Sequence, residues 1–179
     1  MLNYEMLKQA ALEAGFTAAA PLRVETIALL EDVRNMCQAN SCGQYGKNWS
    51  CPPGCGTLDE CRDRVGTFRE GLLVQTVAQL EDDLDGEGML RAEAQHKKTF
   101  AAFHTQLLTQ YPQMLALGTG CCTRCAVCTY PDAPCRFPEK KLSSMEAYGM
   151  LVLRVCKAND LPYYYGPGTI AYTGCYLLV

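Results

Sequence analysis

Three cysteines at two-residue intervals, Cys122, Cys125 and Cys128, are followed by Cys135 and then by Arg136 and Pro138. Thiols at this spacing can turn inward from one short loop and hold three corners of an iron–sulfur cubane, with a nearby thiol completing the set. Pro131, Asp132 and Pro134 mark the segment as a surface loop, which argues against buried, unligated cysteines. Cys135 is the nearest fourth thiol, although six residues separate it from Cys128, a longer gap than in bacterial ferredoxins. Zinc is the competing metal. Its structural sites usually pair two Cys-x2-Cys units across a longer excursion, which this run does not match. A redox dithiol of Cys122 and Cys125 is a minor alternative. Cys121 is expected to point away from its neighbour's site, because adjacent side chains of an extended segment face opposite sides.

The other cysteines reinforce a metal reading over a disulfide framework. Of twelve in 179 residues, five fall between Cys37 and Cys61, five between Cys121 and Cys135, and only Cys156 and Cys175 stand apart. The opening MLNYEMLKQAALEAGF carries Glu5 and Lys8 among its apolar residues and reads as an amphipathic helix rather than a secretory signal. No stretch is apolar enough to span a membrane. A cytoplasmic location is expected, and there clustered thiols favour metal or redox chemistry over stapling. A net charge of −3 with no Lys/Arg run leaves no footprint for nucleic acid.

Hydrophobic spacing then gives an α/β order. A helix over Leu2–Ala14 stops at Gly15, and a short strand runs from Phe16 to Leu22. A second helix, Val24 to Met36, delivers Cys37 at its end. Strands are expected at Gly71–Gln79, Met114–Leu117 and Thr169–Val179. Between them lie a long helix from Glu87 to Gln110 and another from Ser143 or Ser144 to about Asn159. The expectation is a single domain over residues 1–179, a small mixed sheet flanked by helices, with cysteine-rich cluster-binding loops at 37–61 and 121–138 meeting at one edge.

The first loop lacks periodicity. Gly43, Gly46, Pro52, Pro53, Gly54 and Gly56 forbid regular structure over most of it, so a bound group is a sufficient reason for it to be ordered. Cys37, Cys42 and Cys51 supply three ligands. The fourth is Cys55, Cys61 or a residue from another region; Cys61, on a short helix over Asp59–Val65, is preferred, with Cys55 in its Gly-Cys-Gly turn as the alternate. Trp49 and Tyr45 either shield the site from water or pack the core.

The segments CGQYGKNWSCPP, CTRCAVCTYPDAPCRFP and SSMEAYG resemble the signatures of an uncharacterised prokaryotic family of predicted metal-binding, cysteine-rich proteins. The resemblance runs from about Leu2 to Val179. It implies metal or iron–sulfur binding, in a family often found in anaerobes, and no established reaction. The family pattern matches Cys37, Cys42, Cys51, Cys122, Cys125, Cys128 and Cys135. Cys61 matches it less closely, and Cys121 stands where a small residue is expected, so it inherits no role.

Other features read as structural. Asp83, Asp85 and Glu87 are a solvated acidic turn, because a calcium loop would need a bidentate Glu where Ala94 stands. His96 and His104, on the long helix, lack a matching acid or nucleophile. Cys156 and Cys175 belong to the core. Tyr163, Tyr164 and Tyr165 form an aromatic turn that caps it. Lys47, Arg124, Arg136, Lys140 and Lys141 are either solvated or offset thiolate charge. The expected function is therefore an iron–sulfur protein with two [4Fe-4S] clusters, serving electron transfer or a redox partner protein. The alternatives are an enzyme using an open iron site and a zinc-binding structural or regulatory module.

Overall fold

Successive side chains of the two long central strands fall on opposite faces, and that alternation sets the layers of the molecule. Leu72, Val74 and Tyr176 face one side, and Leu73, Cys175 and Leu177 the other, all of them at 0 % exposure. A strand buried on both faces needs a helical layer on each. The computed structural model, which describes residues 2–179, supplies both.

Among the described residues, five strands form one mixed sheet: β1 (Ala18–Arg23), β2 (Glu70–Gln79), β3 (Leu115–Gly118), β4 (Ser143–Ser144) and β5 (Thr169–Leu177). Their order is β1-β2-β5-β3-β4, antiparallel throughout except for the parallel pair β3–β4. Helices α1 (Tyr4–Ala14) and α4 (Gly86–Leu107) cover one face with Leu7, Ala11, Phe100, Phe103 and Leu107. The other face is covered by α3 (Leu58–Gly66) and α5 (Val152–Ala158), together with the 145–150 segment. Helix α2 (Glu31–Gln38) leads into the first cysteine loop. The expected α/β architecture is therefore the observed one.

Phe100 shows how closely the layers meet. Its ring stacks on Tyr176 at 4.4 Å between centroids. It occupies a slot left by two glycines on neighbouring strands: a Cβ on Gly174 would stand 2.5 Å from the ring, and one on Gly118 3.2 Å from it. In the acidic turn, Asp85 caps α4, its Oδ1 accepting from Gly88 N at 2.8 Å. Tyr165 closes the far end, donating to the buried Gln75 Oε1 at 2.7 Å.

Two expected helices are broken. Val24 to Met36 splits into a 3-10 turn (Val24–Thr26), an extended stretch and α2, because Leu29 bridges to Met150 and Leu30 N donates to Gly149 O at 2.8 Å. Ser143 to Asn159 likewise begins as β4, paired with Leu117 and Gly118. It then breaks at Gly149, whose φ of 85° suits glycine, before α5 starts. In both segments, pairing with another part of the chain outweighs local helical spacing. The β3-to-β4 crossover, residues 119–142, carries the second cysteine loop where a parallel connection usually places a helix. The first loop, residues 39–57, connects α2 to α3.

Candidate metal centre

The two loops are locked together by the polar residues of the NWSC segment. Asn48 Oδ1 accepts from both the backbone N (3.0 Å) and the hydroxyl (2.6 Å) of Ser50. The Ser50 oxygen in turn accepts from Cys122 N at 2.9 Å. Asn48 and Ser50 are both buried, so this chain of bonds works away from competing water. Trp49, between them, donates from Nε1 to Ala133 O at 3.0 Å and meets Tyr130 edge-on at 4.9 Å. Although Trp49 belongs to the first loop, it covers the second: it lines the second loop's cavity, whereas Tyr45 lines the first.

Cys122, Cys125, Cys128 and Cys135 line one cavity of about 30 Å³, with Trp49, Phe137, Arg124 and Lys141 among their neighbours. All four thiols are half-buried. Arg136 steadies the loop by donating to Val127 O at 2.9 Å. The expected second-loop set is thus gathered around one space, including Cys135 despite its longer spacing.

The first loop differs from expectation in its membership. Cys37, Cys42 and Cys51 line a cavity of about 380 Å³, and the cysteine that joins them there is Cys121. Burial raises the Cys37 thiol above its usual value. It does the same to Cys51, with the nearby Cys121 and Cys42 adding to the rise and hydrogen bonds with Asn48 and Ser50 opposing it. A metal ion opposes such shifts by holding the thiolate form. The ion pair of Lys97 with Glu93 (2.6 Å) forms part of the wall.

Cys61 and Cys55 do not line that cavity, although the Cys55 sulfur lies 3.6 Å from the backbone oxygen of Ala147, a residue of its wall. Cys61 is 0 % exposed and Cys55 2 %, and both are packed into the apolar core. Arg34 Nη1 lies 3.7 Å from the Cys61 sulfur and 3.9 Å from that of Cys55. The same guanidinium donates to Ala147 O at 2.9 Å and Gly56 O at 2.7 Å. The pair shares a hydrogen bond that keeps the proton on Cys55 and lowers the Cys61 thiol, with Arg34 and Arg64 adding to the lowering. Arg34, Asn48, Ser50 and Cys121 carry no ligand-spacing signal. Only the opposed facing of Cys121 and Cys122 could have suggested that Cys121 serves the other loop.

A third cavity of about 600 Å³ lies between α4 and the second loop, bordered by Lys97, Lys98, Arg124, Lys140, Cys121 and Cys122. His96 and Phe100 close its floor. Among the described residues, no three His, Cys, Asp or Glu side chains close on a single-ion position. The thiols are arranged around cavities instead. Among the described residues, no helix is long and apolar enough to cross a membrane.

An α/β domain that brings thiols from two separate loops to the β3–β4 edge of its sheet is a cysteine-rich metal-binding protein in its architecture. The chain belongs to the family described as "Predicted metal-binding protein (DUF2284)", whose model matches residues 20–178. No curated protein and no solved structure matches it.

Proposed function

We propose that the protein holds two iron–sulfur clusters of the four-iron type and acts in the cytoplasm as a one-electron carrier or redox accessory protein. In this role it takes an electron from a reduced one-electron carrier protein and passes it to an oxidised one. The observation that carries the reading is the pair of cysteine-lined cavities at one sheet edge. Their donors are soft thiols, the ligand class of iron–sulfur clusters and zinc, and the Cys-x2-Cys-x2-Cys run favours the former. The first cavity has the larger volume. At the second, a cubane requires the irregular, half-exposed loop to widen, and Trp49 and Phe137 then limit water beside the thiols, which tunes potential.

Two observations favour other readings. The second cavity, at about 30 Å³, is small beside a four-iron cluster, and four thiols are also a zinc donor set, although they would have to draw closer to hold one ion. The 600 Å³ cavity, with its lysines and arginine, is placed to hold an anionic substrate beside both cysteine groups, as an enzyme would require.

Cys125→Ser tests the proposal. Anaerobically purified variant is expected to lose about half of the wild-type iron and to keep the other cluster's EPR signal. Simultaneous loss of both signals from folded protein would point to a single shared site. Zinc in place of iron in the wild type would contradict the proposal.

A further inference from the structure

We infer that Cys121 is the fourth ligand of the first metal site, so that consecutive residues, Cys121 and Cys122, serve two different sites. This rests on the metal reading above and extends it to a residue that neither loop spacing nor family resemblance assigns.

Three observations converge. First, Cys121 lines the cavity of Cys37, Cys42 and Cys51 and Cys122 that of Cys125, Cys128 and Cys135, and the two adjacent residues also share the border of the 600 Å³ cavity. Ten cysteines lie in the two loops; eight of them divide into two sets of four by cavity, and Cys55 and Cys61 remain outside both. Second, Cys61 is held in place. It has no exposed surface, packs in the core beneath the sheet, and lies 3.7 Å from Arg34, whose other bonds fix Gly56 and Ala147. Bringing its sulfur into the Cys37 cavity would give up that packing, a cost the half-buried Cys121 at the cavity wall does not incur. Third, the approach of Cys121 is anchored on both sides. Gly120 turns the chain with a φ of 63°, and a Cβ there would meet Lys97 Nζ at 2.8 Å. On the other side Cys122 N bonds to Ser50, the residue preceding Cys51. The segment is therefore tied against the first loop at the position where a fourth thiol is needed.

The arrangement gives the two sites a common backbone: one peptide unit joins Cys121 to Cys122, and another joins Ser50, which bonds to Cys122, to Cys51. Loss of the Ser50 hydroxyl that bonds to Cys122 is expected to perturb both sites, whereas a small apolar residue at position 61 is expected to leave metal binding intact.

Cys121→Ser and Cys61→Ala, purified anaerobically and compared for metal content and EPR, test the assignment. Cys121→Ser is expected to lose or alter the first-site signal while the second-site signal persists, and Cys61→Ala to keep both. Retention of both signals unchanged in Cys121→Ser, with loss of one in Cys61→Ala, would overturn it. A second measurement needs no variant. In the wild-type holoprotein Cys121 is expected to resist iodoacetamide despite its partial exposure, and to be alkylated about tenfold faster once metal is stripped by a chelator, because a metal-bound thiolate is not free to attack. Equal alkylation before and after stripping would also overturn it. If the wild type proves to carry zinc, the cluster reading fails while the same counts of metal per variant still decide the role of Cys121.

Discussion

Gly54→Val is expected to abolish metal binding at both sites while leaving the sheet and helices folded. A Cβ on Gly54 would lie 2.4 Å from Asn48 O and 3.1 Å from the Tyr130 ring, one contact in each loop. Asn48 positions Ser50, Ser50 positions Cys122, and Tyr130 supports Trp49, so a wedge at residue 54 acts on the whole junction. Overpacking of this kind costs about 1–3 kcal/mol. That is small beside the α1–α4 core, in which Phe100, Phe103 and Tyr176 are fully buried, but large for loops joined by a few hydrogen bonds. Metal content per chain and far-UV circular dichroism check the result together. Native metal content in the variant would show that the junction does not control the sites.

Stability is expected to fall steeply with acid below neutrality because of two buried histidines. His96 has no exposed surface and lies among Phe16, Phe100 and Tyr172. Its Nδ1 shares a 2.9 Å hydrogen bond with Thr76, and its Nε2 has no partner among the described residues. His104 is 3 % exposed, and its Nδ1 likewise lacks a partner among the described residues. Burial, with Lys97 beside His96 and with Arg124 and Lys140 near His104, lowers each from its usual 6.5 to about 4. A histidine whose folded value is depressed binds more protons when unfolded. Its contribution is therefore complete above about 6.5 and is lost as pH falls toward the folded value. Each shift corresponds to roughly 3 kcal/mol. Urea unfolding at pH 7, 5.5 and 4.5 should show this loss, and His96→Leu should lose less over the same range. Comparison at equal pH cancels the acid sensitivity of the thiolates, which both proteins share. Identical pH slopes in the two would contradict the assignment.

The elements legible from sequence are those whose pattern is local. Helices α1 and α4 and strands β2 and β5 follow from apolar periodicity, with Gly15 in left-handed geometry ending α1 as expected. The helices assigned over Val24–Met36 and Ser143–Asn159 fail because Leu29, Leu30, Ser143 and Ser144 are taken up in pairings with distant residues. The same distinction holds at the metal centre. Cys122, Cys125, Cys128 and Cys135 lie close in sequence, and their grouping was readable from spacing. The cysteine that joins Cys37, Cys42 and Cys51 comes from beyond β2, α4 and β3, and no spacing rule reaches that far. A helix holds Cys61 firmly, and the same packing keeps it off the cavity wall. Trp49 lies in the first loop by sequence but covers the second, since the loops interlock rather than stand side by side.

Chemical analysis of anaerobically purified wild-type protein tests the central claim most directly. Two four-iron clusters predict about eight irons and eight acid-labile sulfides per chain, a brown colour that bleaches with dithionite, and EPR signals from both clusters on reduction. Colourless protein with stoichiometric zinc and no sulfide, after expression with ample iron, would contradict it.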